Sequence, residues 1–262
     1  MTLPATELLR RAEPIAERAA ATLVAMQKSP TLDVSRKELR DVVTAADLAA
    51  ERIVVDGLRE LAPDAAILSE EMGAVDGRIG TWIIDPLDGT INYAAGLPWF
   101  SVTMAYQEEG STRVGLLHAP RAGMIARYTV DGIATVNDRP VRVSSVGRLA
   151  DAVVSVILTS HFSAEHVAQT ADIIRRLGNA ARGVRIIGSG GLEMALVAMG
   201  ELDGFVSIKS DIVSYAAAMP LVRAAGGRLT TLDDREAVDA DLEKVASNGL
   251  IHDELLACLK GA

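Results

Sequence analysis

Trp82-Ile83-Ile84-Asp85-Pro86-Leu87-Asp88-Gly89-Thr90 is the stretch on which the reading of this chain turns. Trp82 to Ile84 is a short run without a polar residue, as expected of a fully buried strand. It ends on Asp85, and Pro86, which lacks an N–H for the ladder, predicts a turn there. Asp88 lies three residues on, where a turn swings its carboxylate back beside that of Asp85. Gly89 permits close backbone approach, and Thr90 opens a helix whose free N–H groups face an anion. Carboxylates at a strand end are the hard oxygen ligands that Mg²⁺ takes, and the neighbouring amides suit phosphate.

Working outward, a second apolar run, Ala65 to Leu68, ends at Glu70-Glu71. Alternation along a strand lets only one of this pair face the same pool. Each signal also has an ordinary reading. Asp-x-x-Asp after a strand is usually a solvated turn, Glu70-Glu71 is surface charge, and Thr44-x-x-Asp47 before an apolar helical run is a capping box. In this order and spacing they reinforce one another.

The segments Asp41-Val-Val-Thr44-Ala-Ala-Asp47, Ser69-Glu70-Glu71 and Trp82 through Asn92-Tyr93 carry a resemblance, joined by Gly188-Ser189-Gly190 and Ala225-Gly226-Gly227. On these residues the chain resembles the inositol monophosphatase family, within the metal-dependent, lithium-sensitive phosphatase group that includes fructose-1,6-bisphosphatases. The resemblance covers essentially the whole chain. It implies an α/β (α+β) fold layered as an αβαβα sandwich, a homodimer, and Mg²⁺ as cofactor. Carried over by position, it makes Glu70, Asp85 and the Leu87 carbonyl ligands of one metal, and Asp85 and Asp88 ligands of a second. Glu70, Thr90 and Asp47 become the catalytic residues acting on a metal-activated water, with Asp47 orienting Thr90. Gly89, Thr90, Asp88, Ser189 and Gly190 become the substrate contacts.

The resemblance breaks near the end of the chain. The family's last motif reads Trp-Asp-x-Ala-Ala-Gly, followed by Glu-Ala-Gly-Gly. Aligned backward from Ala225-Gly226-Gly227, the Trp falls on Val213 and the metal-binding Asp on Ser214. The Gly falls on Ala218 and the Glu on Ala224. A Glu that contacts sugar hydroxyls in the family falls on Ser207. A neutral hydroxyl at Ser214 makes the second metal site weak, because Mg²⁺ prefers anionic oxygen. Asp211 is the replacement ligand if Ser210 to Ser214 forms an adaptable loop. Loss of the Glu at Ser207 loosens the case for inositol. Pro220 is reminiscent of histidinol-phosphatase relatives, although it also suits a first helical turn.

Composition sets the outer limits. The chain has 262 residues, 49% of them hydrophobic, and a formal net charge of -9. That length allows one large domain or two lobes, with the expected division into 1–145, carrying most metal ligands, and 146–262. The negative charge disfavours nucleic acid and anionic membranes as partners. An acidic protein that takes a small phosphate monoester therefore needs a local cation. A single cysteine, Cys258, excludes an intrachain disulfide and a thiolate zinc cage. Without a signal-like start or an apolar run near the roughly 20 residues of a membrane span, the expectation is a cytoplasmic protein. His118, His161, His166 and His252 show no ligand spacing and read as surface or core residues.

Periodicity predicts helices over 3–26 and 44–61, the second with Leu48, Ile53, Val54, Leu58 and Leu61 on one stripe. Lys28 to Asp41 reads as a polar loop. Strands over 101–106, 113–117 and 124–130 read as an antiparallel meander. From about Ala150, strands and helices alternate, with one helix expected over Tyr215 to Ala225. The functional expectation is Mg²⁺-dependent hydrolysis of inositol 1-phosphate or a related polyol phosphate. Histidinol phosphate, a sugar bisphosphate and phosphoadenosine phosphate are alternative substrates. A catalytically weakened phosphate-ligand binding or regulatory homologue is the alternative of another class.

Overall fold

The computed structural model describes residues 3–27, 34–36 and 42–261. Helix α1 (Ala5–Gln27) forms where apolar residues recur at helical spacing, and it buries Leu8, Ala12, Ile15, Ala19 and Leu23. Pro14 sits inside it on the exposed face, where the carbonyl it leaves without a partner meets water. Strands β1 (Val34–Arg36) and β2 (Val42–Thr44) pair antiparallel, which corrects the loop expected there. The rest of Lys28 to Asp41, Asp41 included, lies outside the described residues. Helix α2 (Ala45–Leu61) buries Asp47, Ala50, Glu51, Val54 and Leu58. Leu48 does not join that stripe and is 53% exposed, being one residue and roughly 100° of rotation past Asp47.

Strands β3 (Ala66–Ser69), β4 (Gly73–Val75) and β5 (Thr81–Asp88) follow. The turn expected at Pro86 is absent: β5 continues to Asp88. Its register against the next strand shifts between Asp85 and Asp88, so a bulge absorbs Pro86 and Leu87. A bulge is one of the few places where a strand tolerates a residue without an N–H. Helix α3 (Thr90–Ala94) then leads to β6 (Ser101–Glu108), β7 (Ser111–Ala119), β8 (Met124–Thr129), β9 (Ala134–Val136) and β10 (Arg139–Pro140). The meander is antiparallel as expected, and only β3 and β5 run parallel in this sheet, whose order is β10-β9-β8-β7-β6-β5-β3-β4.

The later part holds β11 (Val153–Val156), α4 (Ala164–Ala180), β12 (Gly183–Arg185), α5 (Gly190–Ala198) and β13 (Gly204–Ser207). After these come α6 (Ile212–Tyr215), α7 (Met219–Ala224), β14 (Arg228–Thr230), β15 (Lys244–Ser247) and α8 (His252–Lys260). The second sheet is ordered β12-β11-β13-β15-β14. The single helix expected from Tyr215 is two short ones, because Pro220 cannot donate to the Ala216 carbonyl.

Helices α1 and α2 cover one face of the large sheet, α5, α6 and α7 lie between the sheets, and α4 and α8 close the far face. This is the αβαβα layering. One apolar core fills the space under α1 and α2, and another joins the middle layer to the second sheet. Among the described residues no helix is long and apolar enough to cross a membrane.

Candidate metal and phosphate site

Strands β3 and β5 run parallel with Ser69 opposite Ile84, so Glu70, just past the end of β3, stands beside Asp85 in β5. Their side chains hydrogen-bond to each other. Asp85 is 1% exposed. Its Oδ1 accepts from the Leu87 N–H at 3.0 Å, and its Oδ2 accepts from Ser214 Oγ at 3.1 Å. Burial pushes the Asp85 carboxyl well above its ordinary range, and the charges of Glu70, Asp88 and Asp211 push the same way. Burial also raises Glu70, to about 7; its bond to Asp85 opposes that shift, while Asp211, Glu71 and Asp88 add to it. Carboxyls this close do not all ionise unless a cation joins them.

Asp88 is turned onto helix α5. It accepts from Ser189 Oγ at 2.6 Å, Gly191 N at 3.0 Å, Gly190 N at 3.2 Å and Ser101 Oγ at 3.3 Å. Burial raises it to about 6 against the pull of these donors. Ser189 is fully buried. Its hydroxyl and the Gly190 N–H, both expected at the substrate, are spent on holding Asp88.

Gly89 adopts φ 92°, a left-handed conformation, and a Cβ there would meet the Trp99 carbonyl at 2.7 Å. No other residue type suits the position. Thr90 Oγ1 lies 3.2 Å from Asp47 Oδ1 and 3.0 Å from the Leu87 carbonyl, so the structure brings Thr90 together with Asp47, the residue expected to orient it. One turn beyond Asp47 on α2, Glu51 accepts from Ser69 Oγ at 2.5 Å and from Met72 N at 2.8 Å. It braces the Glu70-Glu71 turn from beneath, a role that sequence reasoning missed. The i, i+4 spacing from Asp47 was its only signal.

The other wall is held by Glu193 and Asn92. Glu193 is fully buried in the first turn of α5. It accepts from Ser155 Oγ and from the N–H groups of Gly188 at 3.2 Å, Ile187 at 3.3 Å and Ser189 at 3.3 Å. Asn92 Nδ2 donates to the carbonyls of Ile187 and Trp99, both at 2.8 Å, tying α3 to the same loop. Ser210 to Ser214 is not the adaptable loop of the sequence reading. Ser210 is anchored to the Leu242 carbonyl through both N and Oγ, and Asp211 caps α6 by accepting from Ser214 N at 2.8 Å. Ser207 is 1% exposed, and its Oγ donates back to the Lys209 carbonyl at 3.0 Å.

These elements enclose a cavity of about 400 Å³. Glu70, Asp85, Asp88 and Thr90 line it together with the segment 157–162, Gly188 and the segment 209–211. His161, read from sequence only as a surface or core residue, is among the lining residues. Among the described residues the acids are gathered but not closed into a ligand cage, since Asp88 and Asp211 are turned onto backbone N–H groups.

The inositol monophosphatase family model matches residues 4–260. A fructose-1,6-bisphosphatase/inositol-1-monophosphatase of Thermotoga maritima is 36% identical over 217 residues, 83% of this chain and 82% of that one. Nus factor SuhB of Escherichia coli K12 is 34% identical over 217 residues, 81% of this chain and 80% of that one. The extragenic suppressor protein suhB of Bartonella henselae superposes with a TM-score of 0.91 at 29% identity, covering 97% of this chain and 98% of that one. With its layering, its buried acids and these likenesses together, the chain belongs to the inositol monophosphatase family, a family of metal-dependent phosphoric monoester hydrolases.

Proposed function

We propose that this chain is a Mg²⁺-dependent phosphatase of a small polyol or sugar phosphate monoester, with inositol 1-phosphate as the reference substrate. The observation that carries the reading is the buried set of Glu70, Asp85 and Asp88 gathered on the cavity, each raised by burial and by the charge of neighbouring acids. The donor set fits a hard cation: it is carboxylate and carbonyl oxygen throughout, without sulfur or imidazole. Glu70, Asp85 and the Leu87 carbonyl would hold one ion, and Asp85 and Asp88 a second, while Asp211 stays on the Ser214 N–H as the cap of α6. When bound, such ions acidify water and neutralise charge on the phosphoryl oxygens.

The remaining work falls to the chain's own residues. Glu70 is placed to take a proton from the attacking water. Thr90 donates its hydroxyl hydrogen bond to Asp47 or the Leu87 carbonyl, leaving its lone pairs to orient that water. The Gly89 and Thr90 N–H groups hold a phosphate oxygen. Ser189, Gly190 and Gly191 keep Asp88 in place. Ser214 brings a neutral hydroxyl to Asp85 where a further acid would strengthen the second site, so saturation should require a high Mg²⁺ concentration.

A homodimer working in the cytoplasm belongs to the same proposal; sedimentation of the purified protein tests the dimer. The activity is tested by phosphate release from inositol 1-phosphate, histidinol phosphate, fructose 1,6-bisphosphate and phosphoadenosine phosphate across a Mg²⁺ series with a chelator control. Release that vanishes with chelator is the expected result. No release from any ester at any Mg²⁺ concentration would overturn the reading and favour a phosphate-ligand binding homologue.

A further inference from the structure

The stripe that α2 turns inward is apolar at Ala46, Ala50, Val54 and Leu58, yet it also carries two acids, Asp47 and Glu51. A carboxylate taken out of water is costly unless hydrogen-bond donors replace the water. Asp47 finds such a donor in Thr90. Glu51, 9% exposed, finds its donors on a different segment, the turn of residues 70–72 between β3 and β4. Residues four apart share one face of a helix, so a single turn of α2 carries both contacts.

An ordinary reading is that Glu51 merely fastens a hairpin. Its points of attachment are more particular than that. One oxygen, Oε1, accepts from both Ser69 Oγ and Met72 N, the residues that bracket Glu70 and Glu71. The pairing of β3 with β5 ends at Ser69 and Ile84, one residue short of Glu70. On the other side β4 is three residues long, stands last in the order of the large sheet and pairs, among the described residues, with β3 alone. Glu51 therefore takes hold of the chain where the sheet stops fixing it.

We propose that Glu51 is a positioning residue for the reaction. Through Ser69 and Met72 it sets where the Glu70 carboxylate stands against Asp85. Through α2 it keeps that carboxylate in register with Thr90, which Asp47 holds one turn away. Glu70 follows β3 and Thr90 follows β5, so α2 is the common mount of two groups that reach the cavity from different strands. The inference rests on the phosphatase reading above and names what ties the proton acceptor to the residue that orients the water. Such alignment matters, because a misplacement of about 1 Å at reacting groups costs about a hundredfold in rate.

The test reads Mg²⁺ binding and turnover separately in Glu51→Ala, Glu51→Gln and Ser69→Ala. Titration calorimetry with Mg²⁺ needs no substrate, and Glu51→Ala should weaken binding about tenfold, the scale for losing a group that supports a metal ligand. With inositol 1-phosphate at saturating Mg²⁺, kcat should fall about tenfold or more. KM should stay near its native value, since the phosphate contacts at Gly89 and Thr90 remain. Glu51→Gln keeps an oxygen acceptor in the same place and should recover most of both losses. Ser69→Ala removes one of the two bonds and should fall between, which decides the matter even where Glu51→Ala does not fold. Native Mg²⁺ affinity and kcat in Ser69→Ala and in folded Glu51→Ala would overturn the positioning role and leave the phosphatase reading standing. A Gln variant as impaired as the Ala variant would overturn it too. Absence of phosphate release by the native protein would overturn the phosphatase reading and this role with it.

Discussion

In the acid cluster, Asp85 and Asp88 are each gripped from more than one element: Asp85 by Leu87 and Ser214, Asp88 by Ser101 and the start of α5. On another wall of the cavity, Lys209 and Asp211 hang from one short segment whose anchor is Ser210 on Leu242. The first arrangement holds like charges together against their repulsion, at a cost to folding. The second leaves its charged groups near solvent on a short tether. A site divided this way fixes its chemistry rigidly and leaves specificity to residues that are cheap to change.

The largest effect expected is from Asp85→Asn. Phosphate release should fall about a thousandfold, as for loss of a group acting directly on the reacting charge. Yet chelated protein should melt at a higher temperature. A carboxyl raised on folding adds stability in its protonated form and loses it as pH rises, so removing the charge relieves the fold at neutral pH. Activity and calorimetry moving down together would break the contrast between the two walls.

Glu193→Ala comes next. It strands the N–H groups of Ile187, Gly188 and Ser189, and a cost of about 3 kcal/mol in urea unfolding is expected. Glu193→Gln keeps an acceptor and should cost less. Burial raises Glu193 to about 7. The native protein therefore loses stability as pH climbs from the ordinary carboxyl range toward 7, and the Gln variant should flatten that slope.

His252 provides a comparison away from both walls. It is buried between Thr230 Oγ1 at 2.9 Å and Ser247 Oγ at 2.8 Å, and burial lowers it to about 4. Stability should be intact above about 6.5 and fall by about 2 kcal/mol as pH drops toward 4. Unfolding of His252→Gln across the same range should show that loss removed. The smallest effect is from Ser214→Asp, which places a further acid beside Asp85 and should lower the Mg²⁺ concentration for half-maximal activity about tenfold. An unchanged Mg²⁺ requirement would mean that Asp211 already fills the role.

Local pattern made much of this legible. The apolar run before Asp85 marks a strand whichever partner it finds, and α1 and α2 declare themselves by spacing. The bulge at Pro86 was invisible, because it is defined only by the register against β6. Leu48 was misplaced because one residue of helical rotation separates a buried face from solvent. The helix expected over Tyr215 to Ala225 failed at Pro220 despite its alanines, since a helical stripe does not register a missing backbone donor.

The acid cluster around Asp85, Asp88 and Thr90 is determined by the sequence, because turn chemistry and spacing within one short segment set it. What surrounds that cluster is decided by tertiary structure. Glu51, Glu193 and Ser214 come from three other parts of the chain, and each has an unremarkable local pattern. Their roles arise from burial, which leaves a charged or polar group only the few partners that packing brings within reach.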